Sequence, residues 1–283
     1  MNRAIPIIIP GPYQLEGLLS LTDGDPKGLA LICHPHPLYQ GTMHNKVVTT
    51  LARAAAECGY ASLRFNFRGV GKSEGSYGEG IGELEDAKAA LDFLLDYFSP
   101  SPKSKILTLP PGESKNNPTG FNKEDQASAD VRLSRSDEIQ GKAQRETGVY
   151  SSVNEDFEAG FNKEDRASWK PIIVMGFSFG GYIATELAAQ MSPPPQALVT
   201  IAPALHYENL QVSKTPACPW LVVHGESDEV IAHSHNEQWL AEHAPEAQFI
   251  SMPDTTHFFH GKLVELQKMA VDFLKHSAHN CCK

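Results

Sequence analysis

The chain is predicted to be an α/β protein: a mostly parallel, twisted sheet flanked by helices, built as one domain over residues 1–283. Three observations predict it. Short apolar runs suited to strands buried on both faces recur, as at residues 28–33 and 171–175. Amphipathic stretches of helical period lie between them, as at 45–57 and 83–98. The two kinds alternate in order, which is the pattern of βαβ units whose crossovers place helices on both faces of a sheet.

Residues 4–9 and 13–21 read as two strands around Pro10-Gly11-Pro12, and Asp23-Gly24-Asp25-Pro26 reads as a second turn. The strand at 28–33 leads into the loop His34-Pro-His-Pro-Leu-Tyr-Gln-Gly41. The helix at 45–57 opens on Asn45, whose side chain can accept a hydrogen bond from a first-turn amide. A strand at 60–67 and a helix at 83–98 follow. Beyond residue 170 the order is strand 171–175, helix 180–190, strands 197–202 and 220–224, helix 236–243, strand 248–252 and a closing helix at 262–275.

Residues 100–169 break this rhythm. They are rich in Ser, Pro, Asn, Asp, Glu and Lys, and Gly120-Phe-Asn-Lys-Glu-Asp-Gln-Ala-Ser128 recurs as Gly160-Phe-Asn-Lys-Glu-Asp-Arg-Ala-Ser168. Two copies are too few for a solenoid, which needs about three stacked repeats. A connection far longer than the usual ~4–6 residues is expected to be a polar, low-complexity, disordered insertion at the surface.

A hydrophobic fraction of 41% supports an ordinary core, and a net charge of −10 argues against a nucleic-acid surface, which needs clustered Lys and Arg. The five cysteines form no framework spacing, and Cys281-Cys282 reads as a frayed tail. The N-terminal apolar run is short and interrupted by proline, and no stretch approaches the roughly 18 apolar residues of a membrane helix. A cytoplasmic protein with no membrane partner is expected; oligomeric state is not legible.

The chemistry concentrates in Gly176-Phe-Ser-Phe-Gly180, a G-x-S-x-G motif directly after one apolar strand and directly before a helix. A sharp strand-to-helix turn strains the serine backbone and crowds the residues two before and two after it, so only small side chains fit there, as Gly176 and Gly180 do, and the hydroxyl stands exposed above the sheet. Ser178 is therefore the candidate nucleophile. The N–H of Phe179, at the helix N-terminus, is placed to face a developing oxyanion.

An activated serine needs a base, and the base needs a group that fixes its tautomer. On this architecture the acid and then the histidine follow the serine. Asp228 lies four residues beyond the strand at 220–224 and is preferred over Glu226 and Glu229. His257, in the loop before the last helix, is preferred over His260. A second oxyanion donor is expected from the loop after the first buried parallel strand. Pro35 and Pro37 carry no N–H, which leaves His36 as first choice and Leu38 as second. His34 and His36 have no acidic or histidine neighbours in sequence to complete a metal site, so they are read as shaping the loop; no metal and no cofactor is expected.

With these residues in hand, the chain resembles the α/β-hydrolase superfamily, and more narrowly the small, lidless bacterial serine hydrolases with a His-Pro-His-Pro loop. The resemblance rests on Cys33-His-Pro-His-Pro-Leu-Tyr-Gln-Gly-Thr-Met-His-Asn-Lys-Val-Val48, Phe65-Asn-Phe-Arg-Gly-Val-Gly-Lys-Ser-Glu-Gly75, Gly176-Phe-Ser-Phe-Gly-Gly181, His224-Gly-Glu-Ser-Asp228 and Asp254-Thr-Thr-His-Phe-Phe259, in the expected order over about 5–99 and 170–277. It implies an α/β-hydrolase fold and carboxylesterase-like cleavage of small ester substrates through an acyl-enzyme. The chain departs from the pattern in the insertion and at Gln40, where the resemblance implies glycine. The span 203–215 leaves no room for a large cap, as in lidless members.

Gly69-Val-Gly-Lys-Ser73 looks like the end of a phosphate loop, but the glycine required five residues before Gly71 is Asn66. Arg68 is read instead as a tether between loops. Peptidase or thioesterase action by the same three side chains is the nearby alternative, and a silent binding protein on the same fold is the alternative from another class.

Overall fold

A computed structural model describes residues 4–99, 170–207 and 210–280. The expectations for the 100–169 insertion with its duplicated nonapeptide, and for Cys281-Cys282, lie outside the described residues.

The chain opens with strands β1 (Ala4–Ile9) and β2 (Leu15–Ser20), followed by β3 (Gly28–Cys33) and a single 3-10 turn at Pro37–Tyr39. Helix α1 (Lys46–Glu57), β4 (Tyr60–Phe65) and α2 (Ile81–Tyr97) complete the first part. Then come β5 (Ile172–Phe177), α3 (Phe179–Gln190), β6 (Ala197–Ile201), the short strands β7 (His206–Tyr207) and β8 (Leu210–Gln211), β9 (Trp220–Gly225), α4 (His233–His243), β10 (Gln248–Met252) and α5 (Leu263–Asn280).

Eight strands form one sheet in the order β1-β2-β4-β3-β5-β6-β9-β10. β1 with β2 and β2 with β4 are antiparallel, and the other pairs are parallel. This is the α/β-hydrolase architecture with the mostly parallel sheet expected. The antiparallel β1–β2 pair falls where the sequence places a turn rather than a helix between strands, since parallel neighbours need a crossover.

Alternation along each strand divides the core in two. Leu29, Leu31 and Cys33 of β3, with Val174, Leu198, Trp220 and Val222, face one layer containing α2, α3 and α4. Ala30 and Ile32, with Ile173, Met175, Val199, Leu221 and Val223, face α1 and α5. Both faces are covered, so every residue of β3, β6 and β9 is buried and these strands read as continuous apolar runs. Each large side chain so buried contributes roughly 1.5–3 kcal/mol, which fixes the strand ends that carry the loops above the sheet.

Boundaries moved where side chains, not periodicity, decide them. Asn45 caps α1 as expected, its Oδ1 accepting from the Val47 N–H at 2.8 Å. α2 begins earlier than residue 83 because the buried Glu83 carboxylate reaches back to accept from the N–H groups of Gly78 and Gly80, both at 2.8 Å. α4 begins at His233 rather than 236, and β2 is shorter than the 13–21 run. The 3-10 turn and the antiparallel β7–β8 pair are too short to leave a periodic signal. Among the described residues no helix is long and apolar enough to cross a membrane.

Candidate active site

Ser178 stands at the joint between β5 and α3 with φ 57° and ψ −122°. A non-glycine residue holds such a backbone only when its surroundings over-determine it. Here the Ser178 N–H donates to Ile201 O at 2.9 Å, and its carbonyl accepts from Gly181 at 2.8 Å and Ala204 at 3.1 Å. A Cβ at Gly176 would run into the carbonyl of Gly180, and a Cβ at Gly180 into the carbonyls of His34 and Cys33. The two glycines of the motif are thus required by the close approach of α3 to β5 and β3.

Three loops at the carboxyl edge of the sheet converge on this serine. His257, between β10 and α5, places Nε2 3.0 Å from Ser178 Oγ and Nδ1 2.8 Å from Asp228 Oδ2. With Nδ1–H donating to the carboxylate, Nε2 carries the lone pair that faces the hydroxyl. The imidazole is buried against Phe177, ring centroids 5.0 Å apart, and Phe258, 5.2 Å.

Asp228, in the loop after β9, has no exposed side-chain surface. Its Oδ1 accepts from the N–H groups of Val230 at 2.9 Å and Ile231 at 2.8 Å, and its Oδ2 from His257 and, at 3.1 Å, from His224 Nε2. Burial alone would push this carboxyl up. The hydrogen bonds from His224 and His257, the charge of His257 and the Ile231 amide outweigh it and hold the group well below the usual carboxylate range.

The rivals in sequence sit elsewhere. Glu229 accepts the backbone N–H of His257 at 3.1 Å, so it shapes the loop without touching the ring. Glu226 is exposed, and so is His260, which precedes α5.

In the loop after β3, the His36 carbonyl accepts from Tyr39 at 3.1 Å and Gly41 at 3.0 Å, and its Nδ1 accepts the Leu38 N–H at 3.2 Å. That bond occupies Leu38, the second-choice oxyanion donor. Gln40 has φ 61°, in the left-handed region that glycine enters most readily, which is the physical content of the glycine implied at this position. His34 is fully buried; its Nδ1–H donates to Pro35 O at 2.6 Å and its Nε2 accepts the Phe67 N–H at 3.0 Å. Burial pushes it down to about 3. Both nitrogens are engaged, as suits a loop-shaping residue rather than a metal ligand.

Ser178, Phe179 and His36 border one cavity of about 40 Å³, with Tyr39, Ala204, Leu210, Val230 and Ile231 as its other walls. The wall residues Tyr39, Leu210 and Val230 carried no recognisable mark in the sequence. The same holds for Asn236, whose Nδ2 bonds His224 Nδ1 at 3.1 Å, whereas His224 stands in the His224-Gly-Glu-Ser-Asp228 stretch without a role being read for it. A buried histidine ending a strand four residues before an acid is the signal that would have found His224.

The Gly69–Ser73 turn is closed on itself. The amides of Gly69, Val70, Lys72 and Ser73 donate to Glu74 O, Phe67 O, Glu16 Oε2 and Val70 O. Arg68 donates to Asp86 of α2 through Nε and Nη2 at 3.0 and 2.8 Å and to Glu85 at 3.0 Å, the tether expected of it.

The α/β hydrolase fold family matches residues 32–217. An α/β serine hydrolase homologue from Coxiella burnetii is 31% identical, with 94% of this chain and 95% of that one covered at a TM-score of 0.62. An α/β serine hydrolase without a lid from Xanthomonas campestris is 27% identical, with 97% and 94% covered at a TM-score of 0.64. An uncharacterised protein of Rickettsia prowazekii is 43% identical over 94 residues, which are 33% of this chain and 39% of that protein. The chain therefore spans about two fifths of the length of that curated relative.

Proposed function

Because the chain belongs to the α/β hydrolase fold family and is on that ground a hydrolase, we propose that it cleaves carboxylic ester bonds of small substrates through an acyl-enzyme. We place it with the small, lidless bacterial serine hydrolases that carry a His-Pro-His-Pro loop. The lid-free relative from Xanthomonas campestris supports that placing.

The observation that carries the reading is the continuous contact from Ser178 Oγ through His257 to Asp228, at 3.0 and 2.8 Å, above a cavity. Ser178 Oγ attacks the ester carbonyl as His257 Nε2 takes its proton, and Asp228 steadies the imidazolium that forms. The N–H groups of Phe179 and His36 hold the tetrahedral oxyanion; one such donor is typically worth about 10²–10³ in rate. His257 then protonates the departing alkoxide. A water molecule, deprotonated by His257, attacks the acyl-enzyme and frees the acid.

Small acyl groups are supported by the cavity. A water occupies about 10–15 Å³ on this measure, so 40 Å³ admits an acyl chain of only a few carbons beside Phe179, Leu210 and Ile231. Among the described residues the thiols Cys33, Cys58 and Cys218 are free, which supports a cytoplasmic location.

The test is covalent labelling by a fluorophosphonate, followed by hydrolysis of p-nitrophenyl esters of increasing acyl length. Wild-type protein is expected to label, and Ser178→Ala to lose the label entirely. Turnover should fall once the acyl chain exceeds about four carbons. Undiminished labelling of Ser178→Ala would refute the assignment.

A further inference from the structure

Resting on the reading of Ser178, His257 and Asp228 just given, we infer that His224 is a positioning residue of the same site: its Nε2–H holds the Asp228 carboxylate and so sets the pH at which His257 becomes a free base.

His224 closes β9 and is completely buried. Its tautomer follows from its neighbours. Asn236 of α4 donates from Nδ2 to Pro203 O at 2.7 Å, which fixes the amide orientation, and the second Nδ2 hydrogen meets His224 Nδ1 at 3.1 Å. Nδ1 therefore accepts, and the ring proton resides on Nε2. That proton is shared between Asp228 Oδ2 at 3.1 Å and Ile231 O at 3.0 Å. A chain of hydrogen bonds thus runs from Asn236 through His224 and Asp228 to His257 and Ser178, with each donor and acceptor role determined by the last.

The consequence is electrostatic. Asp228 Oδ2 serves two imidazoles, His224 and His257, and only His257 gains and loses a proton during turnover. When His257 is cationic, the carboxylate has an opposite charge beside it. Once His257 is neutral, the buried anion relies on neutral donors: His224, the Val230 and Ile231 amides, and the His257 N–H. The His224 bond stabilises the state with free-base His257 more than the ion pair, and it therefore lowers the pH at which the base is available. Removing it makes the carboxylate lean harder on the imidazolium and moves that pH upward. The other titratable groups facing this chain are His233, whose ring lies 5.5 Å from that of His224, and Glu229 at the His257 amide. Both remain in every variant below.

The full chain is labelled with a fluorophosphonate from pH 5 to 9, and the rate is fitted to a titration. His224→Gln and His224→Asn form the decisive pair. Glutamine carries an amide N–H to about the place of Nε2, whereas asparagine reaches only to Nδ1 and cannot bond Asp228. The expectation is a rising limb displaced upward by on the order of one pH unit in His224→Asn, a tenfold slower rate below the limb, and a near wild-type limb in His224→Gln. His224→Leu is the second donor-less variant should His224→Asn not fold. Coincident limbs for glutamine and the donor-less variant, or a change in plateau alone, would show a packing role and overturn the inference. Wild-type protein that never labels at Ser178 would instead sink the hydrolase reading beneath it.

Discussion

Two carboxylates are buried above the same sheet, and they are treated in opposite ways. Asp86, on α2, meets a guanidinium: Arg68 bonds it through Nε and Nη2, the Arg68 backbone N–H adds a bond at 2.8 Å, and the guanidinium lies 5.0 Å from the centre of the Tyr13 ring. Asp228 meets two imidazoles and two backbone amides. Arginine stays protonated at any pH a protein meets, so the Asp86 cluster has one charge state and serves as a clamp between the 68–75 loop and α2. An imidazole, unlike a guanidinium, can both give and take a proton in a reaction, so the Asp228 cluster can pass a proton along it. Burial and hydrogen-bond count are alike in the two clusters; the partner decides which of them can do chemistry.

The largest expected effect separates them by activity. On the proposed chemistry, Asp228→Asn turns an acceptor into a donor opposite His257 Nδ1 and leaves Nε2 protonated toward Ser178. Ester turnover per folded molecule is expected to fall about 10⁴-fold. Asp86→Ala should do the reverse. It removes the buried partner of Arg68 and leaves only the exposed Glu85 carboxylate at 3.0 Å, which is read as a lower urea midpoint, while turnover per folded molecule is retained. If both variants lose activity and stability in parallel, the contrast drawn between the clusters is wrong.

Legibility in the sequence follows the range of the forces involved. The parallel sheet, its order of elements and the elbow at Ser178 were readable because each rests on local rules: strands buried on both faces, and crowding that only Gly176 and Gly180 relieve. Asp228 and His257 were readable as positions in an order. Their choice over Glu226, Glu229 and His260 is a matter of which side chains the β9, β10 and α5 junctions bring together. Asn236 and the cavity walls Leu210 and Val230 were not readable, and the role of His224 beside Asp228 was not read, since their relation to Ser178 exists only across tertiary contacts. The start of α2 was missed for a related reason: Glu83 satisfies amides of residues that have no capping side chain of their own.

The histidines repeat the contrast on a smaller scale. His257 exposes a lone pair to Ser178, whereas His34 has both nitrogens committed to the backbone and is pushed down to about 3 by burial, with the Pro35 hydrogen bond opposing and His36 adding to it. In the unfolded chain such a side chain takes up its proton near pH 6.5; in the folded protein it does so only near 3. Between these values the unfolded state binds more protons, so the stability contributed by neutral His34 is complete above pH 6.5 and is lost as the pH falls toward 3. His34→Gln keeps an acceptor for the Phe67 N–H and removes the titration. Urea unfolding at intervals from pH 7 to 4 is then expected to show a shallower fall in stability for the variant, by up to ~1.4 kcal/mol per pH unit in the steepest part. Parallel curves for variant and wild type would mean that His34 already titrates in the native state, and that it is not the locked counterpart of His257.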